Sequence, residues 1–317
     1  MVRGCSSKED YRRSWKDYQH CKITSIMKRI LTFALALAFA CGASAQKTLS
    51  FTGGDETVRL WDNSTAKYSN HETRDEIWRK KNGSVRQTSS CELYIYKAAP
   101  EKNSGVAVAI FPGGGFTGVG NSSSLAKWYA SVGITAAVVK YRLPNGHKEA
   151  TLEDAMGAVR YLRSRTDLGI DPAKVGVTGS SAGGHITAWV SCAMPDGEKP
   201  AFAIPHYGSM SRVEFYTGSR ANNALLGKGY CFQDAIDMSV QNMVTPTTPP
   251  TLLLLCDDDS VVLSYSSTLY YEALIRNGVK ASMHIYPYGG HSLSKHTAEY
   301  RPAILDWLNW LGLYNAK

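Results

Sequence analysis

"KVGVTGSSAGGHITAWV", residues 174–190, joins two stretches of different character. "KVGVTG" (174–179) reads as a buried strand and "SAGGHITAWV" (181–190) as a helix, so the corner between them is Gly179-Ser180-Ser181-Ala182-Gly183. That spacing is G-x-S-x-G, a sharp strand-to-helix turn that lifts its central serine above the end of a sheet. It makes Ser181 the nucleophile and leaves Ser180 in the variable place. Gly179 and Gly183 let strand and helix close on one another. In a chain with 28 glycines the pentapeptide arises by chance; lodged between a strand and a helix it specifies a fold.

The same rhythm extends in both directions. "CELYIYKA" (91–98), "VAVAIFP" (106–112), "ITAAVVKYRL" (134–143), "FAIPHYG" (202–208), "TLLLLC" (251–256) and "ASMHIYPY" (281–288) are strand-length apolar runs. Between most of them lie helical segments at 123–133, 151–169, 264–278 and 296–313. In the second of these, Leu152, Ala155, Met156, Val159 and Leu162 form one stripe that Gly169 ends. Alternating strands and helices, with nearly continuous apolar strands, imply a mostly parallel sheet covered by helices on both faces. Reactive groups in such sheets gather at the carboxyl ends of the strands. Residues 46–90 are polar and read as turns and an extended arm; 209–250 breaks the rhythm and is too long for a simple connection.

A serine hydroxyl needs an imidazole to take its proton and a carboxylate to orient that imidazole, in the chain order serine, acid, histidine for this kind of turn. Five histidines follow Ser181. His185 lies one helical turn on, His206 and His284 sit within strands, and His296 opens the last helix; each reads as a packed or supporting residue. His291, in "YPYGGHSL", follows the last strand through Gly289-Gly290 and is the candidate base. "LLLLCDDDSVV" places three aspartates after a buried strand. The spacing D-x-x-V selects Asp259 with Val262 beneath it, Asp258 stands second, and the ordinary reading of the others is a solvated loop with an Asp helix cap. Donors for a developing oxyanion come from "FPGGGF" (111–116), where backbone N–H groups of Gly113 and Gly114, with Gly115 as a further choice, join that of Ala182. Pro112 stands where an HGGG loop has its histidine.

"MKRILTFALALAFACGASAQ" (27–46) has Lys28 and Arg29, a short apolar run and Ala43-Ser44-Ala45, the pattern of a secretory signal cleaved after Ala45. Translation is then expected to begin at Met27, with residues 1–26 upstream of it and 46–317 as a single domain. The run is short for a bilayer span, and the residues before Cys41 fit a lipoprotein signal poorly, so no stable membrane insertion is expected. Residues 1–45 hold eight Lys/Arg against three Asp/Glu, and without them the formal charge falls from +8 to +3. That leaves no phosphate-tracking surface and no nucleic-acid partner. Cys91, Cys192, Cys231 and Cys256 remain, with no zinc spacing and no pairing expected.

Together "FPGGGF", "VVKYRLP", "DAMGAVRYLRS", "GIDPAKVGVTGSSAGGH", "NALLG", "TPPTLLLLCDDDSVV" and "YPYGGHS" resemble secreted bacterial α/β-hydrolases of the acetylxylan-esterase-like group, which includes feruloyl-esterase-like members, over roughly residues 90–313. The resemblance implies the α/β-hydrolase fold and a serine esterase that removes acyl groups, acetyl first among them, from plant polysaccharide or its oligosaccharides. It implies an acylated carbohydrate as substrate, no metal or organic cofactor, and a periplasmic or extracellular location. Two departures stand out: Val262-Leu263 where relatives commonly have Val-Pro, and Asn121-Ser122 where they commonly have an acidic residue near the start of the helix after the glycine loop; the second lies near the site and bears on acyl and sugar preference. Alternatives are a general carboxylesterase or a feruloyl esterase. A prolyl-oligopeptidase-like peptidase shares the serine turn and acid loop but generally carries a large additional N-terminal domain, whereas about 45 mature residues precede the first strand here. An inactive carbohydrate-binding relative would have lost one of the catalytic pieces. Phe116, Tyr230 and Phe232 are expected to line the substrate cleft, with Tyr207 and Tyr216 as further aromatic candidates.

Overall fold

Ten strands follow one another along the described chain: β1 (Glu56–Asp62), β2 (Ile77–Arg79), β3 (Ser84–Arg86), β4 (Ser90–Tyr96), β5 (Ala107–Phe111), β6 (Thr135–Lys140), β7 (Val175–Ser180), β8 (Ala203–His206), β9 (Thr251–Cys256) and β10 (Ala281–Tyr286). Seven helices interleave with them: α1 (Ser123–Ser131), α2 (Lys148–Ser164), α3 (Ala182–Ala193), α4 (Arg220–Leu226), α5 (Phe232–Asp237), α6 (Ser264–Arg276) and α7 (Thr297–Trp310). The computed structural model describes residues 54–79, 81–213 and 219–315, all within one unit, Thr48–Lys317. The leader expected over residues 1–45 and the cleft candidate Tyr216 lie outside the described residues.

Eight strands form one sheet in the order β1-β4-β6-β5-β7-β8-β9-β10, antiparallel across β1, β4 and β6 and parallel from there to β10. β5, β6 and β9 are buried along their whole length, as their mostly apolar sequences require. α1 and α7 meet each other, through the Arg301 guanidinium over the Trp128 ring and the Tyr314 hydroxyl donating to Val132 O; α2 packs on α3. This is the mostly parallel, helix-covered sheet expected from the alternation, and its architecture is that of an α/β-hydrolase.

The strand order positions the chemistry. The chain leaves β5 for β6 on one side and returns to β7 on the other, so the order switches between β5 and β7 and a crevice opens at their carboxyl ends. Phe111 pairs with Gly179 in that register. Two residues further on each side stand Gly113 and Ser181.

The polar stretch before β4 does more than an extended arm would. β1 adds an antiparallel edge strand to β4, and the Trp61 indole donates to Asp154 Oδ1 at 2.5 Å. Asp154, on α2, is fully buried against the equally buried Arg142, whose Nε and Nη2 donate to it at 3.0 and 2.7 Å. The same guanidinium reaches Asn63 and Tyr68 O, so one buried ion pair ties the N-terminal stretch to the sheet. The irregular 209–250 region folds into α4, α5 and short turns. Among the described residues, no helix is long and apolar enough to cross a membrane and the four cysteines are unpaired.

Candidate active site

Ser181 occupies the N-cap of α3 with φ 57° and ψ −118°, a left-handed backbone that a non-glycine residue adopts at a cost of about 1–3 kcal/mol. Two bonds hold it there: Ser181 N–H donates to His206 O at 3.0 Å, and His185 N–H donates to Ser181 O at 3.0 Å. The corner also needs Gly179 and Gly183, because a Cβ on Gly183 would strike Phe111 O and one on Gly179 would lie 2.6 Å from that oxygen. The strained serine is thus held by neighbouring strands and not by its own preference.

His291 Nε2 lies 2.7 Å from Ser181 Oγ, and its Nδ1 lies 2.6 Å from Asp259 Oδ2. The Asp259 side chain is fully buried, and its other oxygen accepts N–H bonds from Val261 at 2.8 Å and Val262 at 3.0 Å. Val262 therefore serves Asp259 through its backbone amide. Asp258 faces elsewhere. It accepts the Gly290 N–H at 2.7 Å, which holds its carboxyl below the usual range, and so shapes the turn that carries His291. The helix cap expected from this aspartate run is absent, since the N-cap of α6 is Leu263.

Among the described residues only the His291 ring hydrogen-bonds the Ser181 side chain. His185 is buried in α3 with Nδ1 2.8 Å from Ser209 O; burial, and then the charge of Arg212, push it down to about 3. His206 is pushed down to about 4 by burial in β8. His284 is half-buried on β10, and His296 stacks on Tyr286 with Nε2 2.6 Å from Tyr288 O. Tyr207 matters more than its place among the aromatic cleft candidates suggested. Its backbone has φ 35° and its ring meets the His291 ring edge-on at 4.8 Å. The positive φ turns the ring toward the histidine, a consequence of the strand end that no local pattern announces.

The glycine loop after β5 lies against the serine turn. A Cβ on Gly113 would sit 3.1 Å from Ser181 Cβ, so only glycine permits the approach. Gly120 N–H donates to Gly113 O at 2.7 Å and Thr117 N–H to Gly114 O at 3.1 Å, which turns both carbonyls away and fixes the peptide planes. The N–H groups of Gly113, Gly114 and Ala182 meet no acceptor among the described residues. Ser181 N–H is already committed to His206 O, which leaves the next amide, Ala182, for an oxyanion. Val85 of β3 and Val119 exchange N–H···O bonds at 2.9 and 2.8 Å, so the small hairpin of β2 and β3 braces this loop from outside.

Phe116 departs from expectation. With φ 57° its ring turns inward, 1 % exposed, edge-on to His185 at 5.8 Å and beneath the Arg212 guanidinium, so it supports the glycine loop from below and does not line a cleft. Tyr230 and Phe232 stand at the start of α5, the first half-buried and the second 43 % exposed.

The model of the prolyl oligopeptidase family matches residues 141–315, from the end of β6 to beyond α7. The chain belongs to the prolyl oligopeptidase family. Within this family setting its similarities run to esterases. An acetylxylan esterase of Xylanibacter ruminicola is 33% identical over 222 residues, which cover 67% of this chain and 46% of that protein. The chain thus spans about half the length of this curated relative. An acetyl ester-xyloside bifunctional hydrolase from Caldicellulosiruptor lactoaceticus superposes with a TM-score of 0.69 at 27% identity, covering 83% of this chain and 99% of that one. A carboxylesterase from Lactobacillus plantarum shares the fold with a TM-score of 0.63 at 19% identity over 77% of this chain and 99% of that one. The acetylxylan-esterase-like resemblance and the α/β-hydrolase fold both stand.

Proposed function

We propose that the protein is an exported serine esterase that removes acetyl groups from plant polysaccharide or its oligosaccharides. The observation that carries this is the continuous line of hydrogen bonds from Asp259 through His291 to Ser181, with the glycine loop in register beside it. Ser181 Oγ attacks the ester carbonyl while His291 Nε2 takes its proton, and Asp259 steadies the imidazolium through Nδ1–H. The carbonyl oxygen, now negative, receives N–H bonds from Gly113, Gly114 and Ala182; each such donor is worth about 2.7–4 kcal/mol in the transition state. His291 returns the proton to the departing sugar oxygen, and water then attacks the acyl-serine by the same route, releasing acetate. The reaction as written uses no metal or organic cofactor.

The substrate class is supported by the acetylxylan esterase and the acetyl ester-xyloside hydrolase among the similar proteins. The family name favours a second reading, cleavage of a peptide bond by the same residues. Acetate release from acetylated xylo-oligosaccharide, ferulate release from a feruloylated one and cleavage of prolyl peptides are measured with residues 46–317 and with Ser181→Ala. Serine-dependent acetate release supports the proposal; peptide cleavage without ester cleavage replaces it. Undiminished activity in Ser181→Ala removes the mechanism. N-terminal sequencing of protein from the exporting cell is expected to begin at Gln46, and a chain beginning before Met27 would contradict the leader assignment.

A further inference from the structure

Beside the glycine loop lies a second concavity, a cleft of about 600 Å³ that includes neither Ser181 nor His291 among its lining residues. Three segments build it: 70–74 ahead of β2, 145–147 ahead of α2, and the α4 region of the irregular insertion. The walls are anchored. Asn70 is 1 % exposed and its amide donates to Thr88 O at 2.8 Å and Leu143 O at 2.6 Å, while Gly146 N–H donates to Ala224 O at 2.7 Å, joining insertion to loop. Thr117 lines the cleft and is also the residue whose N–H holds Gly114 O, so the cleft begins where the oxyanion loop ends.

Its charge is one-sided. Arg74, Arg220 and Lys228 line it, and Glu72 is the sole carboxylate among its lining residues. Glu72 is buried and already engaged: Arg74 Nε and Nη2 donate to its two oxygens at 2.8 and 2.7 Å, the N–H groups of Thr73 and Arg74 donate to one of them, and the pairing holds its carboxyl below the usual range. Arg220 and Lys228 are exposed and form no ion pair with any described residue. Groups suited to hydrogen-bond hydroxyls share the walls, among them Thr73 and Asn223, and so do the His71 and His147 rings, which meet edge-on at 4.5 Å.

We propose that this cleft binds a carboxylate-bearing stretch of the acylated oligosaccharide, so that the preferred substrate carries a uronic acid near the ester that is cut. This rests on the esterase reading above and adds the charge of its substrate. Arg74 stays with Glu72, so the planar fork of Arg220 is the one free to match a carboxylate, and Lys228 adds a point charge; amides and hydroxyls take the sugar oxygens. A neutral chain would leave two solvated cations facing sugar hydroxyls with nothing to neutralise them.

The test titrates the full chain carrying Ser181→Ala, which leaves the ester intact, with three ligands of one length: neutral acetylated xylo-oligosaccharide, the same with one uronic-acid branch, and acetylated oligogalacturonate, whose carboxylates lie in the backbone. An acidic ligand is expected to bind about tenfold more tightly than the neutral one at low salt. The preference should shrink to about twofold or less in about 0.5 M salt, and likewise when Arg220→Gln and Lys228→Gln are added. Which acidic ligand binds better identifies where the carboxylate sits. Equal binding of all three, no binding of any, or a preference that survives both substitutions overturns the inference. An unchanged melting temperature shows that the doubly substituted chain is folded. Acetate release from the neutral ligand by the unsubstituted protein reports separately on the esterase reading: release without acidic preference removes the cleft alone, and acidic preference without release from any ligand removes the esterase.

Discussion

Replacing Asp259 by asparagine tests the proposed relay at a single atom. Asp259 Oδ1 is fixed by two backbone N–H groups, from Val261 and Val262, while Oδ2 faces His291 Nδ1. In Asp259→Asn those donors retain the amide oxygen, because turning the NH2 toward them would leave two buried donors unsatisfied at about 1–3 kcal/mol each. A penalty of roughly 2–6 kcal/mol leaves only a few per cent of molecules in the wrong orientation, so the NH2 points at His291. His291 must then accept at Nδ1 and carry its proton on Nε2, the atom 2.7 Å from Ser181 Oγ. A protonated Nε2 cannot take the serine proton, and a histidine held in that tautomer costs about 10⁴ in kcat, roughly 5.5 kcal/mol of barrier. Steady-state hydrolysis of 4-nitrophenyl acetate at neutral pH reads this directly, with thermal melting to show that the fold persists. Asp258→Asn is the control: an amide oxygen still accepts the Gly290 N–H, so kcat should stay within about threefold. An Asp259→Asn protein that keeps more than about a tenth of its kcat would refute the reasoning, and so would an equal loss in Asp258→Asn.

Three further outcomes follow from the packing around the site. Asp154→Ala strands the buried Arg142 guanidinium and should cost about 3–5 kcal/mol in denaturant unfolding, whereas Glu153→Ala, which touches the same guanidinium from a more exposed position, should cost much less. Tyr207→Phe keeps the ring on His291 and should change kcat little; Tyr207→Ala removes the ring and should lower kcat about tenfold with KM for a small ester nearly unchanged. His185 and His206 are held neutral by burial, at about 3 and about 4 against an ordinary 6.5. The unfolded chain therefore takes up protons that the folded one refuses, and stability is whole above about pH 6.5 and lost as pH falls toward those values. Each contributes a loss of roughly 2 kcal/mol by pH 5. His206→Gln should flatten the melting temperature between pH 7 and 5, and an unchanged slope would contradict the assignment.

Local chemistry carried most of the architecture. The apolar runs that read as strands became β4 to β10 within about three residues at either end, and the helical stripes became α1, α2, α3, α6 and α7. The segment before β4 was less legible, because Glu56–Asp62 alternates charged and apolar residues too weakly to mark a strand until β4 offers its edge. The same holds for β2 and β3, three residues each, which exist because Val85 pairs with Val119. Ser181, Asp259 and His291 were legible from motif and chain order, since the backbone turn that presents the serine needs glycines on both sides.

Other features depended on contacts between residues far apart in the chain. Motif spacing pointed to Asp259 with Asp258 second; the physical reason that Asp259 and not Asp258 meets His291 lies in where β9 and β10 end beside one another. Phe116 looked like a cleft aromatic, and the positive φ that buries it comes from the closing of its own loop onto Gly113 and Val85. Arg142 and Asp154 are two charged residues on a strand end and a helix until folding removes water from both. The sequence by itself determined strands β4 to β10, the helices between them outside the irregular insertion, and the strained serine corner, because periodicity and glycine placement act between near neighbours. Only the tertiary structure decided which charges meet, which ring turns inward and which cleft stays cationic, because those depend on strand order and on the desolvation that packing brings.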